Sequence, residues 1–190
     1  MKFDYYLSKC YALLKVGGRK FMDGKSYIDK LENSYKTHFK IKRDTYFLEN
    51  HLDILAHCKL VNVRTMITEK DIIDSFETNE FCFVKNLNNI SKEVLDKHIN
   101  MLIEAEKLCV TPHRDHKSSY LTGILISENP IDDDIKQYVK KFKFAKAYKF
   151  YWFGWCDIRL ILVDLKNKEV ITNKAGKFVK KVYQKHFNKN

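Results

Sequence analysis

Two apolar runs, SSYLTGILIS at 118–127 and CDIRLILVDL at 156–165, constrain this chain more than any other feature. Each has the length of a strand and falls far short of the roughly 20 apolar residues that a membrane-spanning helix needs. Polar residues in them are too few to leave a whole face in water, so the first reads as a mostly buried strand and the second as a central one. A chain of 190 residues, 45% of them hydrophobic, is long enough to bury a core around such strands without metals or disulfides. Two prolines and six glycines leave little material for linkers, which predicts one domain.

Around these runs the pattern alternates between the two regular periods. Phe3, Leu7, Cys10, Tyr11 and Leu14 recur at helical spacing until Gly17–Gly18, so residues 1–21 read as an N-terminal helical extension to a domain spanning 22–190. Ser26 and Asp29 form a capping signature ahead of a helix carrying Ile28, Leu31 and Tyr35. From Thr45 to Met66 the chain is strand-like, with Leu52, Ile54, Ala56 and Cys58 on one face and His51, Asp53 and His57 on the other. Thr68 is placed to cap a short helix carrying Ile72, Ile73 and Phe76, and EFCFVKN follows as a strand.

Ser91 caps a longer helix with Leu95, Ile99, Leu102 and Ile103 inward. NPIDDDIKQYVKKF is a helix whose aspartates and lysines complement the macrodipole, burying Ile131, Ile135, Tyr138, Val139 and Phe142. Strands are predicted over 144–153 and 156–165 around Gly154, with EVIT as a hairpin partner. An amphipathic helix over 174–187 closes the chain, with Lys174, Lys177, Lys180, Lys181 and Lys185 opposite Phe178, Val179, Val182 and Tyr183. No regular βαβ rhythm is visible. The expected fold is a single compact α+β domain, a mainly antiparallel sheet with flanking helices.

The net charge of +11 is segregated. Residues 136–190 carry 15 Lys and Arg against 3 Asp and Glu, so the whole excess lies in the last 55 residues. Such a field attracts polyanions. Asp4 and Lys9 interrupt any signal-peptide core, and five scattered cysteines with no CxxC pair read as small core hydrophobes of a reducing compartment. The expectation is a cytoplasmic protein without membrane association.

In KKFKFAKAYKFYWFGWCDIR, at 140–159, lysines interleave with aromatics. On a strand over 143–152, Phe144, Lys146, Tyr148, Phe150 and Trp152 share a core-like face, while Lys143, Ala145, Ala147, Lys149 and Tyr151 share a wet one. Exposed aromatics would stack bases while lysines held phosphates, but this alternation buries the rings. Arg159 is the only arginine in the basic region, so phosphate contacts would come from lysine point charges with little sequence discrimination.

Three further clusters carry chemistry-bearing side chains. His113, Asp115 and His116 place three ligand-type side chains in four residues, suited to zinc or iron, though H-x-D-H matches no established metal spacing. The competing reading is a polar loop in which Asp115 caps a turn or pairs with Arg114. His51, Asp53 and His57 share a face, yet six residues of strand hold the two histidines about 20 Å apart. Asp157 and Arg159 share a strand face and pair with each other or with neighbours. A PD-(D/E)xK nuclease signature fails because Asp164 and Glu169 are followed by Ile171 where lysine is required. Phosphate-cradling, GxSxG and HExxH motifs are absent.

The H-x-[DE]-H loop, the KKFKF-x-K-x-Y-x-F block, GW-x-x-x-RL and TNK-x-GK together resemble an uncharacterised family of bacterial domains of Gram-positive anaerobe type, over roughly residues 26–185. The resemblance implies no assigned activity and no cofactor. The reading that follows is a non-enzymatic domain binding a polyanion, nucleic acid foremost, through Lys140, Lys141, Lys143, Lys146, Lys149, Lys177, Lys181 and Lys185. The alternatives are a metal-assisted hydrolase centred on His113, Asp115 and His116, and a module that meets an acidic protein.

Overall fold

The computed structural model of the chain describes residues 22–65 and 72–187, with side chains described outside 62–75. The expected extension over 1–21 and the Thr68 cap lie outside the described residues. Helix α1 spans Gly24–Tyr35. Strands β1 (Lys40–Phe47), β2 (Asn50–Thr65) and β3 (Ile72–Leu87) follow as an antiparallel meander. Helix α2 (Lys92–Cys109) leads to β4 (His116–Ser127), and α3 (Asp133–Lys141) leads to β5 (Ala145–Ala147) and β6 (Trp155–Asp164). Strand β7 (Glu169–Thr172), a 3₁₀ turn over Ala175–Phe178, α4 (Lys180–Gln184) and a last 3₁₀ turn at Lys185–Phe187 complete the described chain.

The described strands form one sheet in the order β1-β2-β3-β4-β6-β5, with β7 also on β6. The expected mainly antiparallel α+β arrangement is overturned. β4 pairs parallel to both β3 and β6, so the sheet is mixed with a parallel centre. The physical reason lies in the connections: α2 and α3 act as crossovers, which return the chain to the start of the next strand. Strand direction leaves no mark on the apolar pattern of β4, which is buried along nearly its whole length whichever way its neighbours run. α2 and α3 cover one face through Leu95, Leu102, Ile135 and Val139, while α1 and Tyr183 cover the other through Tyr27, Leu31 and Tyr35. α2 lies close over β4 because Gly123 has no Cβ: one there would sit 2.5 Å from Leu102 Cδ1 and 2.8 Å from His98 Nε2. No described helix is long and apolar enough to cross a membrane.

Several local expectations are corrected. α1 begins earlier than the Ser26 signature implies, because Asp23 is its N-cap and accepts the Ser26 amide at 2.7 Å. Ile72 and Ile73 belong to β3 rather than to a helix, since the β2 ladder continues to Thr65–Ile72 and β-branched residues suit it. Tyr138 turns outward beneath the Lys92 ammonium, 5.0 Å from its ring centre. The closing helix is broken at Val179, which swings Phe178 into solvent. The strand expected over 144–153 stops at Ala147.

Candidate functional site

Within the 140–159 block, β5 forms one edge of the sheet, and the residues flanking it from Phe142 to Tyr148 obey the strand alternation. Phe144 and Tyr148 pack against the α2-side core. Lys146, between them, reaches Glu106 of α2 at 2.9 Å, and the Tyr148 hydroxyl donates to the same carboxylate. Glu106 is buried, so these two donors replace the water its charge has lost. Burial and the Glu106 carboxylate hold the Tyr148 phenol far above its ordinary range. Lys146 is therefore committed to an ion pair rather than free for a ligand.

After Tyr148 the alternation fails. Lys149, Phe150 and Tyr151 adopt φ of 45°, 52° and 70°, three consecutive side-chain-bearing residues in the left-handed region. Each costs about 1–2 kcal/mol there. The turn is held by hydrogen bonds from Trp152 N–H to the Lys149 carbonyl and from Gly154 N–H to the Tyr151 carbonyl, both 3.1 Å. Its stem closes through Tyr148 N–H to the Gly154 carbonyl at 3.0 Å. Gly154 is required twice: its φ is 73°, and a Cβ would lie 2.4 Å from the Lys117 carbonyl oxygen.

The consequence is an aromatic tip. Phe150, Tyr151 and Trp152 are 95%, 69% and 80% exposed, and Phe178 is 92% exposed. The sequence pattern had placed Phe150 and Trp152 in the core. A strand of three residues ends too early to carry them there, and the reversed turn points them outward. Such strain concentrates where exposure of particular side chains serves a role.

His116 anchors the tip from below. Its Nδ1–H donates to the Phe153 carbonyl at 2.7 Å, which fixes the tautomer and leaves Nε2 to accept from Ser119 Oγ at 2.8 Å. Both ring nitrogens are thus engaged. His113 faces Glu77 at 3.4 Å, and Asp115 turns its backbone carbonyl to the Glu77 amide. The His113 and His116 rings lie 6.1 Å apart, but both His116 nitrogens are taken, and among the described residues no group of three or more His, Cys, Asp or Glu is arranged to hold a metal. His51 pairs with Asp44, His57 hydrogen-bonds Asn79 at 3.1 Å and stacks on Phe81, and Asp53 accepts the Asn86 amide at 2.7 Å. That face is also dispersed.

A groove of about 350 Å³ lies at the start of β5, between the 142–145 segment and the 173–178 turn. It arises because two strands share one edge of β6: β5 pairs with Trp155–Asp157 and β7 with Ile161–Asp164. Buried Asn173 fills the gap, donating Nδ2–H to the Ile158 carbonyl at 2.9 Å and accepting the Leu160 amide on Oδ1 at 3.1 Å. Phe142, Phe144 and Phe178 give the groove apolar walls, Lys143 and Lys174 stand at it, and Asp157 lines its floor. The Asp157 side chain makes no hydrogen bond or ion pair with a described residue, whereas Arg159, its expected partner, is taken by Glu80 at 2.9 Å and stacks on Tyr120.

Lys140, Lys141, Lys143, Lys149, Lys177, Lys181 and Lys185 are exposed and form no ion pair among the described residues. Lys149 rests over the Phe153 ring at 4.7 Å. Asp133 and Asp134 open α3 and Lys140 and Lys141 end it, about 10 Å apart along a helix rising 1.5 Å per residue. The acidic cluster and the lysines therefore occupy opposite ends of that helix. The sequence singles out these lysines, but it reads Asp157 as a structural partner of Arg159 or of neighbours and places Phe150, Trp152 and Phe178 on apolar faces. Only the three-residue length of β5 distinguishes the two outcomes, and no motif encodes it.

Residues 23–185 match a family described as Domain of unknown function (DUF8052), and the chain belongs to that family. No curated protein and no solved structure matches the chain.

Proposed function

We propose that this member of the DUF8052 family binds single-stranded nucleic acid along the β5 edge of its sheet. The observation that carries the reading is the strained turn that holds Phe150, Tyr151 and Trp152 in solvent, with Lys149 as its first residue. Aromatic faces stack unpaired bases without strong sequence preference, and each neutralised phosphate releases counterions. Lys143, Lys149, Lys177 and Lys181 supply the phosphate contacts, with Lys140, Lys141 and Lys185 widening the field. Lys146 serves the scaffold through Glu106. The role is one of binding rather than catalysis. A duplex hides its base faces, so single strands are favoured over duplex of equal length.

Binding of labelled single-stranded RNA, single-stranded DNA and duplex at two salt concentrations tests this. The expected result is tighter binding of the single strands, a log–log salt slope of about −0.7 per phosphate contacted, and loss on reversing Lys143, Lys149, Lys177 and Lys181 to glutamate. Absence of binding at low salt, or binding indifferent to that reversal, overturns it. An acidic protein partner would leave the lysine dependence in place but show no nucleic-acid affinity.

A further inference from the structure

The groove between the 142–145 segment and the 173–178 turn brings Lys143 and Lys174 together with the Asp157 carboxylate, which no described side chain or backbone group partners. A simple phosphate-tracking surface has no use for that carboxylate, which repels the backbone it would track. Resting on the single-strand reading above, we infer that the groove is a base-binding subsite selective for guanine, with Asp157 as its specificity-determining residue. Three observations combine. The volume of about 350 Å³ lies at the small end of the roughly 300–1,000 Å³ range of small-molecule sites, which suits one base rather than a longer segment. Phe178, 92% exposed, offers aromatic surface to a base plane. Asp157 sits on β6 opposite Ala145 of β5, where the small side chain leaves the floor open.

An ionised carboxylate only accepts hydrogen bonds. Guanine alone presents two adjacent donors on its Watson–Crick edge, N1–H and the N2 amino group, and so meets both oxygens at once. Cytosine and adenine offer one amino group beside an acceptor nitrogen. Uracil offers one N–H between two carbonyl oxygens, which the carboxylate repels. Lys143 and Lys174 are then placed for the phosphates that flank the inserted nucleotide.

The test uses four nine-residue RNA oligonucleotides of uridine that differ only at the central position: G, A, C or U. The expected result is that the central G binds about tenfold more tightly than the central U, as a bidentate contact requires. Asp157→Asn should abolish that preference while leaving affinity for the all-U oligomer intact. Because Asp157 has no partner in the described fold, the variant should keep the wild-type circular dichroism spectrum, and Phe178→Ala provides a second variant that lowers the G preference. Salt-sensitive binding of all four oligomers with equal affinity overturns the guanine subsite and leaves the single-strand reading standing. No binding of any oligomer at low salt overturns both.

Discussion

Asn173 completes the edge of β6 with its side chain: Nδ2 donates to the Ile158 carbonyl at 2.9 Å, filling the space between the end of β5 and the start of β7. The same amide accepts from Leu160 N–H at 3.1 Å and Gly176 N–H at 3.0 Å. One side chain thus pairs two β6 backbone groups that no strand reaches and holds the 173–178 turn that walls the groove. Asn173→Ala leaves two buried backbone groups of β6 unpaired, at about 1–3 kcal/mol each. Urea unfolding should show a loss of about 2–6 kcal/mol. A change under about 0.5 kcal/mol would mean that the amide is incidental.

The aromatic tip predicts a separation of stability from binding. Glycine adopts the left-handed region without penalty, so Phe150→Gly and Tyr151→Gly should leave stability unchanged or raise it by about 1 kcal/mol. Each should nevertheless weaken single-strand binding about tenfold, the scale of one lost stacking contact. Thermal unfolding and oligonucleotide titration of the same preparations check both halves.

Much of the fold is legible in the sequence where one period dominates. The capping Ser91 with its Leu95–Leu102 stripe, the continuous run of β4, and EVIT as the hairpin partner of β6 all stand as read. What fails does so for identifiable reasons. The strand-like stretch read from Thr45 is interrupted at Leu48–Glu49, where two residues at positive φ turn β1 into β2 without the Asn-Gly pair that advertises such turns. The parallel centre of the sheet is set by where α2 and α3 deliver the chain, which apolar periodicity does not record. In the candidate site, the lysines were evident from composition. The exposed rings depend on β5 ending at Ala147, and Asp157 depends on Arg159 finding Glu80 instead.

Glu106 makes the tip sensitive to a residue far away in sequence. Tyr148→Phe removes a hydrogen bond to a buried carboxylate and should cost about 1–3 kcal/mol. The stem of the turn would loosen, so limited chymotrypsin digestion should cut at 150–152 faster than in the parent protein. Unchanged cleavage would separate the network from the tip.

Acid should destabilise the fold through two buried imidazoles. Burial lowers the His98 pKa to about 3 and the His186 pKa to about 4, from an ordinary 6.5. Lys85 adds to the first effect, and Lys185 and Lys30 to the second. The unfolded chain then binds protons before the folded one. Their stabilising contribution is fully present above about pH 6.5 and is lost as the pH falls toward the folded values, at up to about 1.4 kcal/mol per pH unit for each group. Denaturant titrations from pH 7.5 to 4.5 should show this slope, and His98→Leu should flatten it.

The most direct measurement is the affinity of a labelled single-stranded RNA for the parent protein and for the Phe150→Ala, Tyr151→Ala, Trp152→Ala triple variant, each at low and moderate salt. These side chains are exposed, so the triple variant should fold normally while losing at least about a hundredfold in affinity. Equal affinities for parent and variant, or no saturable binding by the parent at low salt, would contradict a nucleic-acid role for this edge.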